Sequence, residues 1–487
     1  MDLLSASDWQ GRVFTGTWVP AAGTAPVREP ATGAELGSIG MAGPDDVAKA
    51  AAAAAEAQRD WAATPFTRRA EILRRAGDLW AEHAEEISGW LVREGGAVPG
   101  KAAFEIHQLV RPECYEAAAL PSQPYGELLP SEQPRLSMAR RAPVGVVGVI
   151  APFNFPLILA TRSVAPALAL GNAVVLKPDP RTAVCGGFAL ARIFEEAGVP
   201  PGVLHVLPGG VDAGEALVTD PHVPVVSFTG STAAGRRVGE LAGRHLKRAH
   251  LELGGNSALI VLDDADLDAA ASAGAFASFF HQGQICMTAG RHLVHQAVYD
   301  DYVERLAARA DRLPVGDPAG DTEVALGPII DERQRDKVHT IVTGTVDAGA
   351  TVAAGGTYEN LFYRPTVLAG VTPAMPAFTT EIFGPVAPVT PFGSLDEAAA
   401  LAADSEYGLS LGILTRDTQR ALAVADRVPT GIVHVNDQTV NDEAQVPFGG
   451  VRASGTGTRF GGVRANVEAF TDLRWVTVRD QIAPSPF

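Results

Sequence analysis

The sequence predicts an α/β protein built on a parallel, doubly wound sheet, and three observations support this fold class. Short, nearly continuous apolar runs, typical of strands buried on both faces, lie at 144–150, 173–176, 203–207, 224–228 and 258–262. Stretches with helical patterning lie between them, as in parallel sheets. The 487 residues are enough for two or three domains. Because such sheets bind ligands at the carboxyl ends of their strands, motifs at strand ends are the functional candidates.

The residues before this sheet predict an irregular start followed by helices. In the first forty residues, turn-forming residues separate short apolar segments, which predicts strands and loops: Pro20, Gly23, Pro26, Pro30 and Gly33. Acidic residues then precede an alanine-rich run, which predicts a helix over 44–61. Apolar spacing predicts further helices over about 66–93 and 101–120. We interpret all three helices as scaffold.

A second α/β block is predicted from 266 to about 431. Its strands are expected near 291–295, 386–391, 411–415 and 432–435. The segment 473–478, near the end of the sequence, is predicted to be a strand. We expect it to pair across a subunit boundary with the segment around 135–141.

Composition narrows the classes of function. The net charge of -17 and the lack of a basic cluster argue against a nucleic-acid or anionic membrane surface. Three cysteines make no disulfide framework, and the first residues have no signal-peptide pattern, so we expect a cytoplasmic protein without a membrane span. His281, His292 and His295 lack metal-binding spacing, so no metal is expected.

One candidate nucleophile stands out. Cys286 lies in FFHQGQICMTAGR, between polar and small residues rather than on an apolar face. A thiolate in such a setting can attack a carbonyl carbon. The alternative is a small buried residue with no chemical role.

Two strand ends carry features of a nucleotide site. Phe228, Gly230 and Ser231 end one strand where a helix begins, and such a turn presents backbone N–H groups to a phosphate. Lys177 ends the strand 173–176 and could bind ribose hydroxyls. The alternatives are a simple tight turn and a solvated lysine, and no true GxGxxG motif occurs.

Two polar residues could complete the chemistry of a cysteine nucleophile. Glu252 lies in HLELGGNS, where an apolar setting would raise its pKa toward that of a general base. Asn154 is bracketed by prolines in APFNFP, so its amide could donate to an oxyanion. A salt-bridged glutamate and a turn asparagine are the alternatives. Glu381 in TEIFGP and the segment 447–455 are expected to form rigid loops beside a cleft.

Together these stretches resemble the NAD(P)-dependent aldehyde dehydrogenase superfamily. FNFP, LKP, FTGS, LELGG, GQ-x-C, E-x-FGP and PFGG occur in the family's order, over residues 25 to 478. The resemblance implies a Rossmann-type cofactor domain (1–125 and 147–253), an α/β catalytic domain (254–452) and a bridging oligomerisation sheet (126–146 and 453–487). It also implies a homodimer or homotetramer.

The resemblance assigns roles residue by residue. Cys286 is expected to be the nucleophile, Asn154 the oxyanion donor and Glu252 the base that hydrolyses a thioester. The expected cofactor-binding residues are Lys177, Phe228, Gly230, Ser231, Gly254, Glu381 and Phe383. Many NAD-preferring relatives have a glutamate where this chain has Pro180, so NADP is expected as a possible cofactor besides NAD.

The substrate is expected to be an aromatic, benzaldehyde-like aldehyde. LKPDPRTAV and NFPLILATRSVAPALALGN resemble the benzaldehyde and vanillin dehydrogenase branch. The expected pocket residues are apolar, as an aromatic ring prefers: Phe155, Ile158, Leu159, Ile285 and Met287. Arg162 departs from this pattern, and either binds a substrate carboxylate or forms an ion pair within the fold. A semialdehyde or aliphatic aldehyde dehydrogenase is therefore the alternative, and a non-catalytic protein on this scaffold is the remote one.

Overall fold

Residues 2–485 are described by a computed structural model, in which strands and helices alternate along most of the chain. The strands are β1 (Arg12–Phe14), β2 (Trp18–Pro20), β3 (Gly23–Arg28), β4 (Glu35–Met41), β5 (Gly126–Leu128), β6 (Leu136–Pro143), β7 (Val146–Ile150), β8 (Ala173–Lys177), β9 (Leu204–Val206), β10 (Val225–Thr229), β11 (Arg248–Glu252), β12 (Ser257–Val261), β13 (Ala289–His295), β14 (Thr351–Ala354), β15 (Tyr358–Glu359), β16 (Phe362–Tyr363), β17 (Thr366–Ala369), β18 (Val386–Phe392), β19 (Ser410–Leu414), β20 (Ile432–Val435) and β21 (Thr471–Val478). The α-helices are α1 (Ala6–Trp9), α2 (Pro44–Ala63), α3 (Phe66–Glu82), α4 (Ala84–Gly95), α5 (Pro99–Phe104), α6 (Arg111–Ala119), α7 (Pro156–Ala169), α8 (Ala189–Ala197), α9 (Val211–Thr219), α10 (Thr232–Arg244), α11 (Leu267–Phe279), α12 (Tyr299–Arg312), α13 (Glu332–Asp347), α14 (Pro376–Thr379), α15 (Leu395–Ala403), α16 (Thr418–Ala425) and α17 (Val463–Phe470).

The first large sheet confirms the predicted fold class. Its order is β11-β10-β7-β8-β9-β1-β2, and the five strands from β11 to β9 are parallel. Helices α3, α7 and α8 pack on one face, while α2, α9 and α10 pack on the other. Because both faces are covered, the strands are apolar along their whole length, which is the pattern that the sequence displays.

The second large sheet has the order β14-β17-β18-β13-β12-β19-β20. Its strands from β17 to β20 are parallel, and β14 is antiparallel at one edge. The predicted strand at 258–262 is β12, so it belongs to this sheet rather than to the first. An apolar run reports burial on both faces and does not identify its neighbours, so the sequence pattern could not separate the two sheets.

A small antiparallel sheet has the order β21-β6-β5. Strand β21 pairs with β6 of the same chain along its whole length, from Thr471 opposite Pro143 to Val478 opposite Leu136. The prediction that these segments pair across a subunit boundary is therefore wrong. The physical reason is that α17 ends at Phe470, whose carbonyl accepts a 3.0 Å hydrogen bond from Asn172 just before β8, so that the next residue, Thr471, lies opposite Pro143 of the same chain.

Two predicted helices are interrupted. The helix predicted over 66–93 is α3 and α4, because the backbone of His83 leaves the helical region (φ -104°, ψ 16°). The helix predicted over 101–120 contains a π-helical turn, Glu105–Val110, between α5 and α6. Pro112 has no N–H to donate to that preceding turn, which explains why the regular bonding pattern is interrupted there. None of the helices within residues 2–485 has the length and apolarity that a bilayer crossing requires.

Candidate active site

A cavity of about 690 Å³ lies at the carboxyl ends of β7, β8 and β10. It is lined by two of the predicted catalytic residues, Cys286 and Asn154, and by the pocket residue Leu159. All seven predicted cofactor-binding residues also line it: Lys177, Phe228, Gly230, Ser231, Gly254, Glu381 and Phe383. Residues that are up to 229 positions apart in the chain, Asn154 and Phe383, thus meet where an open parallel sheet binds ligands.

The loop before the cysteine has a strained backbone. His281, Gln282 and Gly283 all take left-handed conformations, with φ of 49°, 57° and 65°. A Cβ at Gly283 would collide with the carbonyl of Gly384. The buried Gln282 amide holds the loop, because it donates 2.8 Å hydrogen bonds to two backbone carbonyls. Non-glycine residues in this region cost free energy, and such strain is concentrated at functional sites.

The thiol of Cys286 is partly exposed to the cavity. Burial, together with the carboxylates of Glu381 and Glu252, raises its pKa to about 12, although the guanidinium of Arg162 lowers it. At neutral pH the group is therefore a thiol, and it needs a base to become a nucleophile.

Asn154 touches the cysteine loop directly. Its buried side-chain amide donates a 2.8 Å hydrogen bond to the carbonyl oxygen of Gln284, two residues before Cys286. This bond fixes the orientation of the amide. A primary amide has two N–H groups, so one remains for a ligand at the sulfur.

Glu252 ends β11 and is buried beside the cavity rather than in its lining. One carboxyl oxygen accepts a 3.3 Å hydrogen bond from the backbone N–H of Gly450, and the other has no partner among residues 2–485. Burial raises the pKa of Glu252 to about 8, although Arg162 and Arg459 lower it. A carboxyl group with a pKa near the working pH can act as a general base.

The glycine pair after β11 brings Glu381 and the cysteine loop together. A Cβ at Gly254 would overlap the Glu381 carboxylate, and a Cβ at Gly255 would overlap the Cys286 carbonyl. The backbone N–H of Gly255 donates a 2.9 Å hydrogen bond to Glu381. Burial raises the pKa of Glu381, whereas that hydrogen bond and Lys337 lower it. The absence of side chains at the two glycines therefore permits this close approach.

The cofactor side of the cavity has the features that a pyrophosphate requires. Ser231 caps the N-terminus of α10, where its hydroxyl accepts a 3.3 Å hydrogen bond from Ala234. A Cβ at Gly230 would meet the ring of Phe228 at 2.6 Å, so a side chain at this position would require that ring to move. The partly unpaired N–H groups and positive dipole end of the thirteen-residue α10 face this turn.

Acidic groups lie near Lys177, and the motif LKPDP already contains one of them, Asp179, directly before Pro180. Burial lowers the pKa of Lys177, while Asp179 and Asp212 raise it. Asp179 also forms 2.7 and 2.9 Å hydrogen bonds with Arg181, whose guanidinium lies 4.3 Å from the Phe153 ring. Acidic groups and the cation Arg181 therefore both lie around Lys177, although Pro180 supplies no charge.

The predicted apolar pocket residues are all buried, with exposed fractions from 3% to 8%: Phe155, Ile158, Leu159, Ile285 and Met287. They belong to one hydrophobic cluster, against which Cys286 packs. Arg162 forms an ion pair with Asp442 and lies 4.3 Å from the Phe448 ring centroid. Of the two roles considered for Arg162, the structure therefore shows the ion pair within the fold.

A buried lysine–glutamate pair behind the site was also missed, because the helix 101–120 was interpreted as scaffold. Glu105 accepts hydrogen bonds from the backbone N–H groups of Leu157 (2.9 Å) and Ile158 (3.1 Å), at the start of α7. It also pairs with Lys101, whose ammonium lies 4.2 Å from the Phe155 ring centroid. The pair thus fixes the helix that follows Asn154. The spacing of four residues between opposite charges in an apolar segment was the available signal.

The fold and this site define a nicotinamide-dependent dehydrogenase with a cysteine nucleophile. The sequence pattern of the Aldehyde dehydrogenase family matches residues 18–476, and the chain belongs to that family. It is 71% identical to a vanillin dehydrogenase from Amycolatopsis sp., with 100% of both chains covered. It is 52% identical to benzaldehyde dehydrogenase [NAD(+)] from Pseudomonas putida, with 98% of both covered.

One solved structure has a closely similar fold. The salicylaldehyde dehydrogenase from Pseudomonas putida G7, complexed with salicylaldehyde, superposes with a TM-score of 0.94 at 34% identity. The match covers 98% of this chain and 99% of that one. The expected resemblance to aldehyde dehydrogenases, and to the benzaldehyde and vanillin dehydrogenase branch, is thereby confirmed.

Proposed function

We propose that this protein oxidises aromatic aldehydes to carboxylic acids with NAD(P)+ through a covalent intermediate on Cys286. The observation that supports this most directly is that Cys286, Asn154 and the cofactor-binding residues line one cavity, with Glu252 buried beside it. The vanillin and benzaldehyde dehydrogenases that the chain resembles are named for aromatic aldehydes. The buried apolar side chains around Cys286 suit an aromatic ring.

The first step is attack by the sulfur of Cys286 on the aldehyde carbon, which forms a tetrahedral oxyanion. Because the pKa of Cys286 is about 12, the thiol must first lose its proton, and Glu252 is the base that we assign to this transfer. The second N–H of Asn154 and the backbone N–H of Cys286 stabilise the oxyanion.

The second step leaves an acyl group on the sulfur. When bound, NAD+ supplies a hydride acceptor at its nicotinamide ring. Glu252 first releases the thiol proton to solvent and then removes a proton from water, and the resulting hydroxide attacks the thioester and releases the acid, with the thiolate of Cys286 as the leaving group. This role needs a carboxyl group whose pKa is near the working pH, and the pKa of about 8 at Glu252 meets that requirement.

The residues of the cavity fit a dinucleotide. Ser231 and the start of α10 would hold the pyrophosphate, Lys177 the adenosine ribose, and Glu381 the nicotinamide ribose. NAD+ is the preferred cofactor in this proposal, as the name of the Pseudomonas putida relative states for that enzyme. Pro180 allows NADP+ as a second cofactor, because proline has neither an acceptor for the ribose 2'-hydroxyl nor a charge to repel a 2'-phosphate.

We also propose a role for each segment of the chain. Residues 1–125 and 147–253 would bind the cofactor, 254–452 would carry the nucleophile, and 126–146 with 453–487 would join subunits into a homodimer or homotetramer. The outer strand β21 exposes large apolar side chains that suit a subunit contact: Leu473, Trp475 and Val478. We assign the protein to the cytoplasm, where the catalytic thiol stays reduced.

The alternative substrate class, semialdehyde acids, is disfavoured by one contact. A substrate carboxylate would need a free cation, but Arg162 is already paired with Asp442. A panel of aldehydes compared by kcat/KM with both cofactors tests the proposal. We expect benzaldehyde to be preferred over succinic semialdehyde and hexanal, and a preference for succinic semialdehyde would reject the aromatic assignment. No aldehyde-dependent NAD(P)H formation at all would favour the non-catalytic alternative.

A further inference from the structure

One arginine joins the two large sheets at the edge of the cavity. Arg181 follows β8 of the first sheet, whereas Asp331 is the N-cap of α13, which packs on the second sheet. Nη1 of Arg181 lies 2.6 Å from a carboxylate oxygen of Asp331, and both residues line the cavity. Their side chains are 41% and 33% exposed, so the ion pair lies where the cavity meets solvent.

Arg181 is itself held from two sides. Two of its nitrogens donate hydrogen bonds of 2.9 and 2.7 Å to the two carboxylate oxygens of Asp179. Its guanidinium also lies 4.3 Å from the ring centroid of Phe153. A planar cation that binds one carboxylate in a bidentate manner and lies over an aromatic ring has a fixed direction. Arg181 is therefore a rigid support and not a freely moving surface cation.

The contacts of Arg181 lead to Phe383 by two routes. The ring of Phe153 meets the ring of Phe383 edge-on, with 6.0 Å between the centroids. On the other route, Asp331 accepts a 2.8 Å hydrogen bond from the backbone N–H of Gln334 in the first turn of α13. The side chain of Gln334 then donates a 2.8 Å hydrogen bond to the carbonyl of Phe383. An aromatic contact and a chain of hydrogen bonds thus end at the same residue.

Phe383 needs such support, because its backbone is strained. Its φ is 58°, in the left-handed region that an aromatic residue seldom occupies. Conformations of this kind persist only where the surrounding structure fixes them. The next residue, Gly384, touches the cysteine loop, since a Cβ at Gly283 would come within 2.1 Å of its carbonyl oxygen. The position of Phe383 is therefore coupled to the loop that carries Cys286.

We propose that Arg181 is a positioning residue, which holds Phe383 through Asp331 and Phe153 so that the nicotinamide ring faces the sulfur of Cys286. Phe383 and Cys286 line the same cavity. Hydride transfer depends on the alignment of the reacting groups, so a small displacement of the ring lowers the rate while the cofactor still binds. This inference rests on the proposed function.

The loss of Arg181 should affect alignment more than global stability. An ion pair that is exposed to this extent stabilises a fold only slightly. Arg181→Met keeps a long side chain beside the Phe153 ring but removes the cation, so we expect the variant to fold. Arg333→Met is the matched control, because Arg333 lines the same cavity and its side chain forms no ion pair within residues 2–485.

The first measurement uses the protein without cofactor or substrate. Hydrogen exchange of the backbone amides in residues 378–386 is followed by mass spectrometry in the unaltered protein and in both variants. We expect exchange in this segment to be about tenfold faster in Arg181→Met, because a restraint on the strained turn is lost. Arg333→Met should exchange at the unaltered rate.

The second measurement follows hydride transfer. Protein saturated with NAD+ is mixed rapidly with benzaldehyde, and the rate constant of the NADH burst is recorded. In Arg181→Met it should fall about tenfold, while the Kd for NAD+, measured by calorimetry, changes by less than about threefold. Arg181→Lys, which can still pair with Asp331, should recover part of the rate, and Arg333→Met should keep all of it. Benzaldehyde deuterated at the aldehyde carbon should show a larger isotope effect on the burst in Arg181→Met, because hydride transfer is the slowed step.

An unchanged burst rate, or unchanged exchange at 378–386, in Arg181→Met would overturn the inference. Faster exchange spread evenly over the chain would also overturn it, since that pattern shows a general loss of stability. If the unaltered protein forms no NADH from any aldehyde, the proposed function fails and the nicotinamide assignment fails with it. The exchange comparison uses neither cofactor nor substrate, so it would still show whether Arg181 holds Phe383.

Discussion

The raised pKa of Glu252 predicts how turnover depends on pH. With a pKa of about 8, only the fraction of Glu252 that has lost its proton can activate water. That fraction is roughly one tenth at pH 7 and roughly nine tenths at pH 9. If hydrolysis of the thioester limits turnover, kcat should rise about ninefold over this interval and then level off. We expect kcat to rise rather than fall with pH, because burial favours the neutral acid of Glu252 and the ionised, active form appears only as the pH increases.

The assay separates the two chemical steps. Rapid mixing of enzyme, NAD+ and benzaldehyde should give a burst of NADH of one equivalent per site, followed by a slower steady rate. Replacing Glu252 by Gln should preserve at most a single turnover and abolish the steady rate at every pH. Hydroxylamine attacks thioesters without a protein base, so it should restore deacylation in Glu252→Gln and raise turnover only to the slowed rate at which the thiol of Cys286 is acylated. A kcat in the unaltered protein that is flat between pH 6.5 and 9.5, or normal steady turnover in Glu252→Gln, would refute the role of this residue.

Three further predictions concern the nucleophile and its surroundings. Cys286→Ala should abolish aldehyde oxidation while NAD+ binding, followed by calorimetry, is unchanged; residual turnover would assign the nucleophile elsewhere. Gly283→Ala should lower the free energy of unfolding by a few kcal/mol, because the left-handed backbone and the neighbouring carbonyl both oppose a side chain. Gly243→Ala, at an exposed helical position with open space around it, is the control and should add about 0.5–1 kcal/mol in the same urea titration; equal losses in both would contradict the strain. Lys101→Met and Glu105→Gln should each cost about 3–5 kcal/mol, since each leaves a buried group unpaired. The double variant should recover part of that loss, and strictly additive losses would contradict the pairing.

The strands, turns and short motifs of this protein could be predicted from its sequence. Strands buried on both faces are apolar throughout, so β7, β8 and β10 could be placed within a few residues. The turn at Gly230 and the glycine pair after Glu252 were recognisable because a side chain there would require neighbouring groups to move. The motifs that marked Cys286, Asn154 and the cofactor-binding residues are likewise short and contiguous.

The features that could not be predicted are those that depend on distant partners. Arg162 could have met a substrate carboxylate or an acid of the protein, and the partner proved to be Asp442, 280 residues away. The pairing of Lys101 with Glu105 was visible as spacing, but its bonds to the start of α7 were not. The segment that pairs with β21 was predicted correctly, but it was expected in a partner subunit, because a strand's own residues do not specify whether its neighbour lies in the same chain.

The sequence by itself therefore determined the class of fold and the family, and it supplied the candidates for the reacting groups, since these depend on local patterns of burial, turns and spacing. The tertiary structure decided which charges neutralise one another and which buried atoms remain without partners. The physical reason is that burial and electrostatic interaction depend on distance in space. That distance is set by how the two sheets and the helices around them pack, and it cannot be read from separation along the chain.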